Sequence, residues 1–243
     1  KHLSQHGYDY LVLSGYHNLT SKRRGVELVN ESVALIKDWK LHNPQGIIHL
    51  ELASTQDKKV RAAIIEKIAP LADSLGLNER EALDALEVIN PQKYDELAHE
   101  ELTAPRLFEI ISIIKAKTKA PRIQLHLFGL YITLQDKDFR ITPEQNLRGM
   151  MLASTVAATK AGTGKIEEHD KLLWAQGKDV SEISLNNLQD LAEYLQNPEL
   201  VQTGICEYEG CKVIAVPTII IEKPLTLVGM GDTISSVSLI GAR

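Results

Sequence analysis

The chain has 243 residues, 44% of them apolar and 24% charged, with a formal net charge of −5. This is the composition of an ordinary globular protein, long enough for one large domain or two small ones. The acidic balance excludes a broad basic surface for nucleic acid, and no apolar run approaches the roughly 20 residues of a membrane-spanning helix.

The N-terminus, Lys1-His2-Leu3-Ser4-Gln5-His6, is polar and has no secretory pattern, and the chain does not begin with Met. It reads as a truncated or processed cytoplasmic protein. Tyr10 to Gly15 reads as a buried strand ending in a small-residue loop. Val26, Val29, Val33 and Ile36 have helical spacing within Lys22 to Leu41. After the break Pro44-Gln45-Gly46 comes a second strand, Ile47 to Leu52. A helix from Asp57 to Ile68, with Asp57 as its cap, leads to a short strand at Ser74 to Leu77. Asn78 then caps an acid-rich helix over Glu79 to Val88.

Asn90 to Thr103 is polar, a loop with broken helix, and Leu107 to Ala116 is helical. Ile123 to Phe128 and Leu130 to Leu134 are strand-like on either side of Gly129. A long helix is expected from Pro143 to Lys160, with Pro143 in its first turn, followed by an irregular stretch over 161–179 and a helix over Leu185 to Leu195. Residues 204–208 and 212–216 make a hairpin about Glu209-Gly210, Thr218 to Ile221 adds a strand, and a last helix starts near Gly231. The β-α-β-α order predicts an α/β fold, a mainly parallel sheet with helices on both faces. Its site should lie beyond the carboxyl ends of the strands.

Three segments fall there. His49 and Glu51 share one side of an otherwise apolar strand, because side chains alternate with period two. Either the strand end is already in solvent, or Glu51 meets a cation or a donor. Asn78 and Glu81 have the form of a capping box. They are compatible with metal binding only if Glu81 turns outward. Gly229-Met230-Gly231-Asp232 stands at a helix start, where free N–H groups face an anion and glycine allows close approach. A carboxylate there suits a base that takes a proton from an attacking hydroxyl.

Other motifs carry less. Ala161 to Lys165 imitates a phosphate loop, but Thr159 replaces the earlier glycine and a helix, not a strand, precedes it. The eight histidines form no H-E-x-x-H zinc motif. His126 alone reads as a satisfied core histidine. Cys206 and Cys211 flank the hairpin turn, and free thiols are the expected state, with a disulfide or a metal pair as alternatives.

Taken together, H-L-E at 49–51, N-E-R-E at 78–81 and G-M-G-D at 229–232 resemble the H-x-E, N-x-x-E and G-x-G-D motifs of ADP-dependent phosphofructokinases and glucokinases, which have a ribokinase-like fold. Ser14-Gly15-Tyr16, L-E-L-A-S-T-Q-D (50–57), L-A-D-S-L-G-L-N-E (71–79) and G-D-T-I-S-S (231–236) add to the resemblance. The resemblance implies that Asp232 is the catalytic base and also stands beside the metal. It implies that the N–H groups of Gly229, Met230, Gly231 and Asp232 stabilise the transferring phosphoryl group, and that Glu51 and Glu81 hold Mg²⁺ largely through waters. Asn78, His126 and Ile221 match positions near the nucleotide. ADP is the implied phosphoryl donor and AMP a second nucleotide ligand. The acceptor is a sugar or sugar phosphate, fructose 6-phosphate first and glucose second. Nucleic acid and membrane are not among the expected partners.

Members of that family are longer, and this chain resembles their C-terminal half. Residues 1–243 are therefore expected to be part of the nucleotide-binding large domain. The N-terminal part and the lid would be missing, and the N-terminal half would be a partner. Alternatives are an ADP-dependent glucokinase, an ATP-dependent ribokinase-type kinase, and a non-catalytic nucleotide-binding module.

Overall fold

The computed structural model of the chain describes residue 3 and residues 6–166 and 174–243. It contains two compact units, Lys1–Leu102 with Glu109–Ile123, and Thr103–Phe108 with Gln124–Arg243. The α/β class is borne out, with parallel strands in the first unit and antiparallel pairs in the second.

In the first unit the order is β1 (Tyr10–Leu13), α1 (Gly25–His42), β2 (Ile47–Glu51), α2 (Lys58–Ala63), β3 (Ser74–Asn78), α3 (Glu79–Ile89) and α4 (Pro91–Leu97). The strands lie in the order β1-β2-β3, all parallel. Every residue of β2 is buried, which is why its sequence is apolar apart from His49 and Glu51. Asp57 caps α2 as expected, accepting from Lys59 N at 3.1 Å and Val60 N at 3.2 Å. The helix then widens into a π turn at Ile64–Ile68. Asn90 and Pro91 open α4 with a cap and a first-turn proline, so the stretch expected to be loop with broken helix holds a short ordered helix. α5 (Ala104–Thr118) and β4 (Arg122–Leu127) each run through the point where the units divide.

The second unit continues with β5 (Leu130–Asp136), α6 (Pro143–Thr163), α7 (Glu182–Tyr194), α8 (Glu199–Thr203), β6 (Ile205–Tyr208), β7 (Cys211–Pro217) and α9 (Met230–Gly241). Its strands are ordered β4-β5-β7-β6. Glu209 and Gly210 both have positive φ, 47° and 82°, the backbone of a tight two-residue hairpin turn. Cys206 is opposite Val213 and Cys211 opposite Tyr208, so the two thiols do not face each other and both are free. The irregular stretch expected over 161–179 falls partly on residues 167–173, outside the described residues, while 161–163 extend α6.

One expected strand is absent. Residues 218–221 belong to the connection between β7 and α9. β5 begins at Leu130, opposite Pro217, so the ladder ends with Thr218 N–H donating to Gly129 O at 2.9 Å. Ile219 N–H turns instead to Ser154 Oγ on α6, at 3.3 Å. The apolar run Ile219-Ile220-Ile221 has no strand left to pair with.

α6 and α9 are the closest-packed helices of the second unit. Tyr131, Met150, Ala153, Ala157, Ile214, Val216 and Ile234 form a buried cluster, with Met230 packed on its edge. The helices touch through small residues: a Cβ on Gly149 would collide with Ser238 O and lie 3.0 Å from Ala242 N. Gly149→Ala should therefore destabilise the chain by about 1–3 kcal/mol through overpacking. Urea denaturation checks this, and a loss within 0.5 kcal/mol (roughly the spread of neutral surface substitutions) contradicts it.

Candidate functional site

The first unit gathers acids at the carboxyl ends of β2 and β3. Glu51 ends β2 and is only 5% exposed. Its register partner on β3 is Gly76, which has no side chain. Asn78 ends β3 and caps α3 with no intervening residue. Asn78 Oδ1 accepts from Glu81 N–H at 3.0 Å, and Glu81 Oε2 accepts from Asn78 N–H at 2.9 Å. Glu81 therefore turns back to its cap and not outward, so it does not meet the condition for holding a metal directly, and a cation beside it would be held through water. Glu81 is nevertheless a perturbed group. Burial raises its carboxyl to about 7, against bonds from the Asn78 and Ser54 backbone that lower it, and the negative charges of Glu51 and Asp84 add to the rise.

Glu51 and Glu81 line one small cavity of about 20 Å³, room for one water-sized particle, together with Asp84, Arg61, Thr55 and Tyr16. Ile64 and Ile65 of the π turn complete the wall, a common use of such turns. Arg61 donates from Nη2 to Thr55 O at 2.8 Å, and its Nη1 is held by Glu87 with Asp84 at 3.5 Å. The donor set that faces the cavity is oxygen-rich, as a hard cation requires. Among the described residues no three His, Cys, Asp or Glu side chains come close enough to hold a metal between them. A cation beside these acids would draw its remaining ligands from water or phosphate oxygens, in keeping with Mg²⁺.

The second unit carries the Gly229–Asp232 turn. Gly229 adopts φ 64°, ψ 31°, a left-handed conformation that suits glycine, and precedes α9. The first intrahelical bond runs from Thr233 N to Gly229 O, at 3.1 Å. The N–H groups of Met230, Gly231 and Asp232 thus point out of the helix end. Asp232 is exposed in that first turn, while the Met230 side chain packs on the core and anchors the turn. Lys160, in the last turn of α6, donates to Gly229 O at 3.1 Å and to Thr233 Oγ1 at 2.8 Å. A positive charge and the partial positive charge of a helix N-terminus converge there, beside the Asp232 carboxylate.

His126 is buried on β4. Its Nε2 lies 3.0 Å from Ser235 Oγ, one turn beyond Asp232 on α9, and its ring meets Tyr131 edge-on at 5.8 Å. It is satisfied by these contacts and braces the helix that carries Asp232. Ile221 lies in the connection before α9, away from these bonds. A larger cavity of about 650 Å³ opens beside that connection, lined by Leu147, Met151, Leu185, Val216, Pro217 and Ile219 among others. It is mainly apolar and lies within the usual size range of small-molecule pockets.

A family model for the ADP-specific phosphofructokinase/glucokinase conserved region matches residues 1–241. The chain belongs to the ADP-specific phosphofructokinase/glucokinase family. It is 33% identical over 232 residues to an ADP-dependent glucose/glucosamine kinase of Pyrococcus abyssi, covering 93% of this chain and 47% of that one. Among solved structures it is similar to the last common ancestor of ADP-dependent phosphofructokinases from Methanosarcinales, with TM-score 0.90, 32% identity, and coverage of 99% of this chain and 52% of the other. An ADP-dependent kinase solved with fructose 6-phosphate and ADPβS matches at TM-score 0.88 and 32% identity, covering 99% and 55%. The chain spans about half the length of the curated relatives it matches.

Within this member of the family, the expected residues fall into two sets. Glu51, Asn78 and Glu81 meet in the first unit, while Gly229, Met230, Gly231, Asp232 and His126 share the second. Lys160 and Arg122 were not foreseen. Lys160 meets the turn across 69 residues of chain, and nothing in the local pattern around 160–165 announces that contact.

The raised carboxyl of Glu81 gives a pH test in metal-free protein. Its folded value is about 7 and its ordinary value 4.5. The folded state therefore keeps a proton that the unfolded state has lost, and stability from this group falls as pH rises through that window. Glu81→Gln keeps an oxygen for the Asn78 N–H and does not titrate. In EDTA, its melting temperature should gain on the wild type steadily between pH 4.5 and pH 7.5. Parallel curves for the two proteins contradict the assignment.

Proposed function

We propose that this protein transfers the terminal phosphoryl group of ADP to a sugar hydroxyl, with fructose 6-phosphate as the leading acceptor and glucose as the second. The Gly229–Asp232 turn carries the reading: a left-handed glycine, outward N–H groups and an exposed carboxylate stand together at the start of α9. Asp232 is the general base, taking the proton of the attacking hydroxyl as the new O–P bond forms. The N–H groups of Met230, Gly231 and Asp232 stabilise charge on the transferring group, and Lys160 adds to that potential.

Glu51 and Glu81 are the residues that would hold Mg²⁺, Glu81 through water because its carboxylate is bonded to its cap. Their fit rests on the acids themselves, since Glu81 is raised to about 7 by burial and by the charge of Glu51, and a cation relieves both. Mg²⁺ bound there supplies neutralisation of the diphosphate charge. Asn78 sits at the capped end of α3, beside these acids. The 650 Å³ apolar cavity is a candidate seat for the nucleoside, close in sequence to Ile221. His126 acts by holding α9 in place.

On this reading residues 1–243 form part of the large domain of a cytoplasmic glycolytic kinase. The residues that grip the sugar come from sequence its relatives possess outside the matched half. The solved relative that holds fructose 6-phosphate supports the first acceptor, and the relative named as a glucose/glucosamine kinase supports the second. Assays of the intact protein with ADP or ATP, Mg²⁺, and either sugar test the reading. Transfer from ADP at a rate well above that from ATP is expected, and no transfer from ADP to either sugar contradicts it. Asp232→Asn should lower kcat by roughly 10³-fold with ADP binding changed only a few-fold. A variant that retains wild-type turnover would remove Asp232 from the base role.

A further inference from the structure

Behind Glu51, three polar groups of the first unit form one chain that ends on its carboxylate. Arg122, at the start of β4, is fully buried, and its Nη1 lies 2.8 Å from Ser74 Oγ. Ser74 Oγ lies 2.8 Å from Nδ1 of His49, and Nε2 of His49 lies 3.2 Å from Oε2 of Glu51. His49 and Ser74 are register partners on β2 and β3, and Glu51 follows His49 by the two-residue strand period.

The direction of this chain follows from what each group can give. A guanidinium only donates, so Ser74 Oγ accepts from Arg122 and has its own hydrogen to pass to Nδ1 of His49. An imidazole that accepts at Nδ1 carries its proton on Nε2, and that N–H donates to Glu51. Each bond polarises the next in a buried setting. Burial pulls the Arg122 guanidinium down to about 9, while the negative charge of Glu51 acts to keep it charged.

We propose that Arg122 is a positioning residue for Glu51, which fixes His49 as the Nε2–H tautomer through Ser74 and so sets the orientation of the Glu51 carboxylate toward the cavity it shares with Glu81. Outer partners of this kind commonly control the affinity of a cation they never touch. The assignment rests on the reading of Glu51 as a cation ligand.

The test combines ¹⁵N NMR of the histidine side chains with Mg²⁺ titrated into ADP-saturated protein. Wild type should show His49 protonated at Nε2 alone. Arg122→Met and Ser74→Ala should lose that single-tautomer signature and weaken Mg²⁺ binding roughly 10- to 100-fold. Arg122→Lys, which keeps a donor, should stay within a few-fold of wild type. Ser74→Ala serves where Arg122→Met does not fold. The assignment is overturned if wild-type His49 is protonated at Nδ1, or if Ser74→Ala keeps both the tautomer and the Mg²⁺ affinity. Wild type with the expected tautomer but no response to Mg²⁺ overturns the cation reading of Glu51, and this assignment with it.

Discussion

A carboxylate at the buried end of a parallel strand has to be answered by charge or by hydrogen bonds, and the first unit is arranged around that requirement. Glu51 is answered from behind by His49, whose other nitrogen reaches Ser74 and through it Arg122. From across the cavity it meets Glu81, a second acid, whose proton affinity rises as burial and repulsion act together. The arrangement is satisfied on one side and strained on the other. Such an imbalance is characteristic of functional sites.

The second unit holds its chemistry more rigidly. The turn before α9 is fixed by packing of Met230, by the close approach of α6 through Gly149, and by Lys160 bonded to Gly229 O and Thr233 Oγ1. His126 ties the next turn of the helix through Ser235. Outward N–H groups stabilise charge best when they need no rearrangement as charge develops, and these restraints supply that fixity. Asp232 is left exposed in the first turn of a braced helix.

Much of this was legible in the sequence where the physics is local. Asp57 and Asn78 announced their caps because a short acceptor side chain before an apolar-periodic run has few other uses. Glu209-Gly210 announced the hairpin because a tight two-residue turn needs positive φ, which glycine adopts freely. The 218–221 run misled because apolar β-branched residues predict a strand only if a partner edge remains, and β5 had ended. The short helix α8, over Glu199–Thr203, went unseen because five residues carry no period. In the site, the acids and the glycine turn were legible as motifs. The back-turned carboxylate of Glu81 was legible as well, because a capping box closes over three residues. The reach of Lys160 and the relay from Arg122 depend on contacts between distant segments, which no local pattern encodes.

The central claim is that the acid pair and the glycine turn are the cation and phosphate sites of an ADP-dependent kinase. Crystals grown with ADP, and with Mn²⁺ in place of Mg²⁺, test it by anomalous scattering from the metal. The account predicts a manganese peak beside Glu51 and Glu81, bound directly or through waters, and the terminal phosphate on the N–H groups of Met230, Gly231 and Asp232. A metal peak away from both acids, or a diphosphate seated away from that turn, would contradict it.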